Sequence, residues 1–171
     1  MILRSATPAD AELVAKLGRD SFIAAFGHLY SAADLAEFLG ASHTPGIVAA
    51  QLADPAMRCR IAEDAATPVG FCKLMLRPAW PEHGAARFAI ELKQLYCAAG
   101  TTGRGTGAAL MDWALAEARG AGADAVRLSV WSENTGAQKF YARYGFTHLA
   151  DIDFWVGSQR DDEYLYELRL N

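Results

Sequence analysis

A strand that leads through a glycine-rich turn into a helix is the feature that most constrains how this chain folds. An apolar strand is predicted at residues 88–97, the turn carries Gly103, Gly105 and Gly107 at alternate positions, and a helix begins at Ala108. Such a turn directs backbone N–H groups and the positive end of the helix dipole at one point, which suits a phosphate or pyrophosphate. Its glycines let a bulky anion approach the main chain without meeting a Cβ. Taken alone, however, the pattern favours a structural connection over an anion site.

Hydrophobic periodicity and turn residues predict the order of elements along the rest of the chain. Strands are predicted at residues 2–4, 59–63, 69–76, 88–97, 126–131, 152–156 and 164–170. Helices are predicted at residues 8–26, 32–39, 45–52, 108–119 and 135–144, with Gly40 ending the second. This order predicts an α/β chain with a mixed sheet, in which hairpins lie on one side and crossover helices on the other. Because the sequence contains no internal repeat or linker, residues 1–171 are expected to form one domain.

Composition and charge exclude several classes of protein. Apolar residues make up 52% of the 171 residues and charged residues 21%, which is typical of globular rather than disordered chains. The net charge is −4 and the sequence has no basic run, so it does not predict a basic surface that would bind nucleic acid. No apolar run approaches the roughly 20 residues that cross a membrane, and the N-terminus lacks the apolar core of a signal peptide. The cysteines show no paired or metal-type spacing, so we expect reduced thiols, no metal and a cytoplasmic location.

A second motif lies downstream of the glycine turn. Residues 134–146 contain an Asn followed by Ala, Phe-Tyr and Gly-Phe. This stretch resembles the second conserved block of the GNAT (GCN5-related N-acetyltransferase) superfamily. The turn at residues 102–107 resembles the first block of that superfamily, usually written [Arg/Gln]-x-x-Gly-x-[Gly/Ala]. Two blocks in the right order and spacing are far more specific than either alone, and with the matching order of elements the resemblance covers essentially the whole chain.

The resemblance implies both a fold and a co-substrate. The fold is a mixed, largely antiparallel sheet with helices on both faces, in which a strand bulge and the splaying of the next strand open a V-shaped slot between two central strands. The implied co-substrate is acetyl-coenzyme A (acetyl-CoA), bound without a metal. Main-chain groups of the strand before the turn would pair with its pantetheine arm, here at Leu95, Tyr96 and Cys97. The turn would hold its pyrophosphate through Gly103, Arg104, Gly105, Thr106, Gly107 and Ala108.

Acyl transfer to an amine needs a base to remove the amine proton and an acid to protect the leaving thiolate. Tyr141 occupies the usual acid position of the superfamily, about two helical turns after Asn134, which is expected to contact the cofactor arm. Glu91 lies near the start of the cofactor-pairing strand, where several members carry a general-base glutamate. Simpler alternatives stay open, in which the tyrosine is a core aromatic, the glutamate pairs with Lys93 at the surface, and the asparagine only caps a helix.

Within the superfamily the chain is most similar to the PaiA-type group, which is associated with polyamine acetylation. The similarity lies in residues 21–29, 130–131, 154–157 and 161–162. His28 and Tyr30 lie in the region that borders the acceptor site in such folds, although a packed or exposed loop pair is the simpler interpretation. A polyamine needs carboxylates for its distal charges, and the candidates are Asp34, Glu37, Asp151, Asp153, Asp161, Asp162 and Glu163.

The resemblance therefore implies an N-acetyltransferase that moves acetyl from acetyl-CoA to a primary amine of a small molecule by direct attack in a ternary complex. The chain is expected to act as a monomer or homodimer, without nucleic acid or a membrane. Two alternatives remain: a CoA-binding sensor or regulator with little turnover, and a transferase for another acyl group or for a protein or peptide amine. Thr102 departs from the superfamily pattern, because it replaces the long Arg or Gln side chain that can reach the phosphates.

Overall fold

The computed structural model describes residues 1–101 and 103–170, so the prediction about Thr102 lies outside the described residues. The strands are β1 (Ile2–Ser5), β2 (Met57–Asp64), β3 (Thr67–Met75), β4 (Ala89–Cys97), β5 (Ala125–Trp131), β6 (Thr147–Val156) and β7 (Gln159–Arg169). The α-helices are α1 (Ala11–Phe26), α2 (Ala32–Ser42), α3 (Pro45–Ala53), α4 (Thr106–Gly120) and α5 (Thr135–Arg143). Single 3-10 turns lie before and after α1, at Pro8–Asp10 and Gly27–Leu29. This order is the predicted one, and it confirms the α/β fold class.

The described strands form a seven-stranded sheet in the order β1-β2-β3-β4-β5-β7-β6. Neighbouring strands are antiparallel except β4 and β5, which run parallel. The predicted mixed, largely antiparallel sheet is therefore confirmed, and the parallel pair lies at its centre.

The two central strands diverge soon after they begin. β4 and β5 pair only over residues 89–91 and 125–127, after which β4 keeps β3 as its partner and β5 keeps β7. On β4, Leu92 faces Leu74 while Gln94 faces Lys73, so Lys93 is an extra residue that forms a bulge. Because a bulge bends its strand and increases the local twist, it helps β4 turn away from β5. The predicted bulge and V-shaped slot are both present.

Helices cover both faces of the sheet, as predicted. One core lies under α4 and α5 and contains apolar residues of β3, β4 and β5, whereas a second lies between α1, α3 and the hairpin β2–β3. A third, smaller cluster joins α1, α2 and β6 through Phe22, Leu39 and Val156. None of the helices within the described ranges is both long and apolar enough to cross a membrane. The slot therefore lies between two helical layers.

Three elements begin or end well away from their predicted boundaries, for identifiable reasons. Gly40 does not end α2, which continues to Ser42, since the roughly 1 kcal/mol cost of a helical glycine is small beside the packing of its neighbours. β6 and β7 are also longer than the predicted 152–156 and 164–170. Their acidic residues are typical of loops, but the hairpin pairs Asp153 with Asp162 and places Arg160 within ion-pair distance of both carboxylates.

Candidate active site

A cavity of about 420 Å³ occupies the slot between β4 and β5. Its walls come from both strands, from Glu163 on β7 and Phe154 on β6, and from side chains of α1, α2, α3 and α5. Apolar and aromatic residues make up a little over half of the lining and polar or charged residues the rest, so the cavity is more polar than most sites that bind small molecules. The predicted site residues that line it are Glu91, Leu95, Tyr96, Cys97, Asn134 and Tyr141.

The glycine turn lies beyond the end of β4 and begins α4 outside this cavity. Gly103 and Gly105 have φ angles of +82° and +84°, which glycine adopts without strain. Gly105 is the N-cap of α4, and the first N–H that bonds within the helix is that of Ala109, to the Gly105 carbonyl at 3.0 Å. The preceding N–H groups at this end therefore have no intrahelical acceptor. Arg104 is exposed beside them, so the turn combines free N–H groups, a helix dipole and a cation.

Tyr141 projects from α5 into the slot. Its ring packs against Phe140 and Phe146, with centroids 5.4 and 5.7 Å away, and against the larger core. Burial raises the pKa of its phenol well above the usual value, and nearby Cys72 and Tyr96 contribute in the same direction. The hydroxyl therefore keeps its proton at neutral pH. Although the core-aromatic alternative is present, the side chain also reaches the cavity.

Asn134 begins α5 as its N-cap. Its side-chain oxygen accepts a hydrogen bond from the Ala137 N–H at 3.1 Å, so the capping alternative is confirmed. Nearby, the Gln138 amide donates to the carbonyls of Trp131 and Ser132, which holds the end of β5 against the helix. Asn134 also lines the cavity, and its contact with a cofactor arm stays a prediction.

Glu91 lies at the vertex of the slot, as the last residue of β4 that pairs with β5. Its side chain is 24% exposed, and one carboxylate oxygen is 3.7 Å from the ammonium of Lys93. The predicted alternative of an ion pair with Lys93 is therefore present in a side chain that also lines the cavity. The base role of Glu91 stays a prediction.

Glu163 is the member of the predicted acceptor carboxylates that lines the cavity. His28 is exposed, and Tyr30 donates a hydrogen bond to buried Asp161, so this pair packs as the simpler interpretation predicts. The remaining carboxylates are engaged elsewhere or exposed: Asp34 accepts from Ser31 and Ser158, Asp151 faces His148, Asp153 and Asp162 face Arg160, and Glu37 is exposed.

The carboxylate of Glu163 is held in an unusual environment. Burial raises its pKa, a hydrogen bond with Ser129 opposes that rise, and the charge of Asp161 adds to it. Its Oε2 is buried and has no hydrogen-bond partner within the described ranges. The charge of Glu163 also contributes to the raised pKa values of Tyr30 and Tyr96. The carboxylate is therefore close to several hydroxyl groups and presents one unused oxygen.

Two further residues of the cavity wall were missed by sequence reasoning. His43 lies just after α2 and is 4% exposed, and burial lowers its pKa to about 4. Gln94 follows the bulge on β4 and contacts the His43 ring. A lone histidine at a helix end and a glutamine within a strand carry no motif, because their meeting depends on how the helices pack on the sheet. The aromatic residues Phe22 and Phe26, by contrast, lie within the predicted first helix, at residues 8–26.

Comparisons with known proteins agree with this arrangement. The family model described as "Acetyltransferase (GNAT) family" matches residues 19–146. An uncharacterized N-acetyltransferase of Mycobacterium tuberculosis (strain ATCC 25618 / H37Rv) is 31% identical over 156 residues, which covers 91% of this chain and 95% of that protein.

Solved structures show that the fold is shared. The PaiA N-acetyltransferase from Thermoplasma acidophilum, in complex with coenzyme A, superposes with a TM-score of 0.80 at 18% identity, covering 99% of this chain and 98% of that one. A GCN5-related N-acetyltransferase from Rhodopseudomonas palustris gives a TM-score of 0.78 at 21% identity, covering 99% of this chain and 95% of that one. With the family match across both sequence motifs, these findings establish that the chain belongs to the GNAT family of acetyltransferases.

Proposed function

We propose that this acetyltransferase moves the acetyl group of acetyl-CoA to a primary amine of a small molecule, by direct attack in a ternary complex. The observation that carries the proposal is the cavity between β4 and β5, which Tyr141 and Glu91 both line. One group able to donate a proton and one able to accept it thus face the same space. Residues 1–171 act as one domain, in a monomer or homodimer. The free thiols Cys59, Cys72 and Cys97 support a reducing compartment, and we place the reaction in the cytoplasm.

The donor lies along β4 and ends at the glycine turn. Beyond Glu91, β4 no longer pairs with β5, so the edge of the strand at Leu95, Tyr96 and Cys97 is available to the amides of the pantetheine arm. The pyrophosphate meets the turn at residues 103–108, where the first N–H groups of α4 have no intrahelical acceptor and the side chain of Arg104 is exposed. Coenzyme A in the PaiA N-acetyltransferase of similar fold supports this choice of donor.

The acetyl group passes directly from the thioester to the amine, through a tetrahedral adduct and without an acetylated enzyme. Glu91, directly or through a water, takes a proton from the acceptor ammonium, and the freed amine attacks the thioester carbonyl carbon. Backbone N–H groups near the Lys93 bulge stabilise the negative oxygen that forms. When the adduct collapses, the C–S bond breaks and Tyr141 gives its phenolic proton to the leaving sulfur. The attacking nitrogen then loses its second proton to solvent, and Tyr141 takes one back from solvent. The products are the acetylated amine and coenzyme A as its thiol.

A thiol-release assay tests this function. Acetyl-CoA is incubated with polyamines, amino acids and peptides, and we expect release with small primary amines. Tyr141→Phe and Glu91→Gln should lower kcat more than they weaken donor binding, whereas Tyr166→Phe, outside the cavity wall, should change neither. An unchanged kcat in both site variants would refute the assigned roles. Donor binding without thiol release across the whole panel would favour the sensor, and release only with peptides or another acyl donor would favour those alternatives.

A further inference from the structure

The bulge of β4 carries more positive than negative charge. Lys93, the extra residue of the bulge, lines the cavity with a side chain that is 37% exposed, and its ammonium lies 3.7 Å from the carboxylate of Glu91. Lys73 on β3 pairs with Gln94 beside the same bulge and is 2% exposed. Within residues 1–101 and 103–170, its ammonium forms no ion pair with a carboxylate. Two lysines therefore lie at the bulge, and only the exposed one is paired with an acid.

The ammonium of Lys73 lies behind the cavity wall and is held by α3. It donates a hydrogen bond to Oε1 of Gln51 at 2.8 Å and lies 5.5 Å from the centroid of the Phe71 ring. Burial lowers its pKa to about 8, and the charge of Lys93 acts in the same direction, so most of it keeps its proton at pH 7. A buried cation is costly unless an anion or several acceptors face it, and the proposed reaction gives this one no role.

The contact with Lys73 fixes the orientation of the Gln51 amide. An ammonium has donors only, so the amide atom that faces it is the carbonyl oxygen. The amide nitrogen then lies on the other side of the amide carbon, and it donates no hydrogen bond to any residue that the structure describes. Gln51 lines the cavity and is half-buried. Its amide therefore offers N–H donors to a ligand, as the ammonium of Lys93 does.

The wall beside this donor pair is neutral. The Ser42 hydroxyl lies 2.6 Å from the Phe38 carbonyl oxygen and 2.6 Å from Nδ1 of His43. A carbonyl oxygen only accepts, so Ser42 donates to Phe38 and accepts from Nδ1–H of His43. The other ring nitrogen, Nε2, then accepts the Gln94 amide N–H at 3.4 Å. Burial lowers the pKa of His43 to about 4, so this relay of Ser42, His43 and Gln94 adds no charge near pH 7.

We propose that the acceptor is a zwitterionic amine of the α-amino acid type, whose carboxylate binds Lys93 and Gln51 and whose ammonium binds Glu91. Lys73 is a positioning residue, because it orients the Gln51 amide and adds its charge from behind the wall. The inference rests on the proposed function, in which Glu91 takes a proton from the acceptor ammonium.

The spacing of the wall charges favours this class of amine. Standard bond lengths place the nitrogen of an α-amino acid roughly 3 Å from its nearest carboxylate oxygen, close to the 3.7 Å between the charged groups of Glu91 and Lys93. Opposite charges therefore meet at both ends, and the ion pair in the wall is exchanged for two ion pairs with the ligand. A simple amine takes Glu91 from Lys93 without replacing it, and a diamine adds a further cation beside two lysines.

The opposite wall of the cavity suits an apolar side chain on the amino acid. The Phe22 and Phe38 rings lie 4.6 Å apart, and the Phe26 and Trp131 rings meet edge to face at 6.0 Å. Glu163 lies on this side as well, but its Oε2 is buried. Leucine is therefore a suitable probe.

Kinetics with leucine and leucinamide, in which an amide replaces the carboxylate, test the anionic site. The wild type should prefer leucine in kcat/KM, and Lys93→Met should lower the leucine-to-leucinamide ratio about tenfold, by raising the KM of leucine. Lys93→Arg should keep the ratio. The two amines differ in basicity, but that difference is the same in every variant and cancels. Lys16→Met, at an exposed lysine of α1 that pairs with Asp20, is the matched control and should change neither amine.

Two further variants test the donor behind which Lys73 lies. Gln51→Glu exchanges the N–H groups for a carboxylate that still pairs with Lys73, so the fold is kept while leucine is repelled. The leucine-to-leucinamide ratio should fall about tenfold or more, with the KM of acetyl-CoA unchanged. Lys73→Met should lower the same ratio a few-fold. An equal loss of activity towards both amines in Lys73→Met would refute its positioning role.

A result that leaves the ratio unchanged in both Lys93→Met and Gln51→Glu would overturn the inference and leave the proposed function intact. A wild-type preference for 1,4-diaminobutane over leucine would do the same, because a diamine is the acceptor that the two lysines disfavour.

Calorimetry separates failure of the inference from failure of the function. Leucine is titrated into the protein in the presence of coenzyme A, which cannot transfer an acetyl group. If no amine releases thiol but leucine binds and Lys93→Met weakens that binding about tenfold, the proposed function fails and the zwitterion site stands. If other small amines release thiol while leucine neither binds nor reacts, the inference fails and the function stands. If leucine does not bind and no amine releases thiol, both are refuted.

Discussion

The region that the proposed function assigns to the donor is built from main chain, whereas the part of the cavity that it assigns to the acceptor is built from side chains. This donor half consists of the end of β4, the glycine turn and the start of α4, which offer an unpaired strand edge and backbone N–H groups. The acceptor half lies where α1, the segment after α2 and β7 face the middle of β4, and His43, Gln94 and Glu163 line it. The first half depends on backbone shape and the second on a few exact side-chain contacts.

This difference predicts how the two halves respond to amino-acid substitutions. A site made of backbone tolerates side-chain substitution except where a new Cβ enters the ligand path or strains the turn. A site made of buried side chains loses its selectivity through single substitutions, because one unpaired polar partner is costly. We therefore expect donor binding to be the more robust property and acceptor choice the more adjustable one.

The largest expected effect comes from the vertex that both halves share. Arg127 is 1% exposed there, and its guanidinium pairs with Glu167 at 2.7 Å and donates to the carbonyls of Ala79 and Trp80. Glu167→Gln leaves a buried charge without its partner, which should lower the free energy of unfolding by about 3–5 kcal/mol. Denaturant unfolding measures this loss. The donor and acceptor KM values should deteriorate together, because the splay of β4 and β5 starts at this point.

A surface ion pair provides the control for that prediction. Arg77 is 57% exposed and pairs with Asp54 at 2.9 Å. Arg77→Gln should cost less than about 1 kcal/mol, since exposed pairs are screened by water. If Glu167→Gln and Arg77→Gln lower the free energy of unfolding equally, the buried pair at the vertex does not have the special structural role that supports both halves.

The acceptor half should also be the more sensitive to acid. Burial lowers the pKa of His43 from 6.5 to about 4, so the unfolded chain binds more protons than the folded one between these values. The free energy of unfolding should therefore fall as the pH drops from 6.5 to 4, by roughly 3 kcal/mol at 1.4 kcal/mol per pH unit. His43→Gln should flatten this part of the pH profile in chemical denaturation. His148→Gln, at an exposed histidine, should leave the slope in place, and a slope that survives His43→Gln would refute the assignment.

A substitution in the turn should affect the donor half alone. Gly105 has a φ of +84°, and a Cβ there meets no atom within 4 Å, so Gly105→Ala carries a backbone strain of about 1–2 kcal/mol. The methyl group also stands beside the free N–H groups, and we expect the KM of acetyl-CoA to rise about tenfold with the acceptor KM unchanged. Gly120→Ala, at the other end of α4 and without a positive φ, should leave donor binding alone. A rise in the acceptor KM for Gly105→Ala would erase the distinction between the halves.

The same contrast explains what could be predicted from sequence. The strand, turn and helix of the donor half are contiguous, and the glycines mark both the turn and the close approach of a ligand, so residues 88–108 indicated the correct elements. Tyr141 and Glu91 were found through motif positions, and both line the cavity. Glu163 was one of seven candidate carboxylates, since nothing local distinguishes it.

The relay of the acceptor half could not be predicted, because its members are distant in sequence. Gln94 and His43 are 51 positions apart and meet only when the segment after α2 packs on β4. The ends of β6 and β7 were missed for a related reason, as cross-strand ion pairs place acidic residues in regular strands. Local propensity reports neither contact.

The smallest predicted effect tests whether the acceptor half tolerates a small displacement of its side chains. Gly18→Ala normally favours a helix by up to about 1 kcal/mol, but here the new Cβ would lie 2.7 Å from the His43 ring and 3.3 Å from Phe71. The ring must shift, and it then loses its hold on Gln94. We expect kcat/KM for the amine to fall a few-fold, about 0.5–1 kcal/mol in the transition state, with the KM of acetyl-CoA unchanged and little net change in stability. Gly40→Ala, at a helical glycine with open space around it, should stabilise the fold and leave the kinetics alone. If both alanines only stabilise the protein, His43 is free to adjust, and the acceptor half is as tolerant as the donor half.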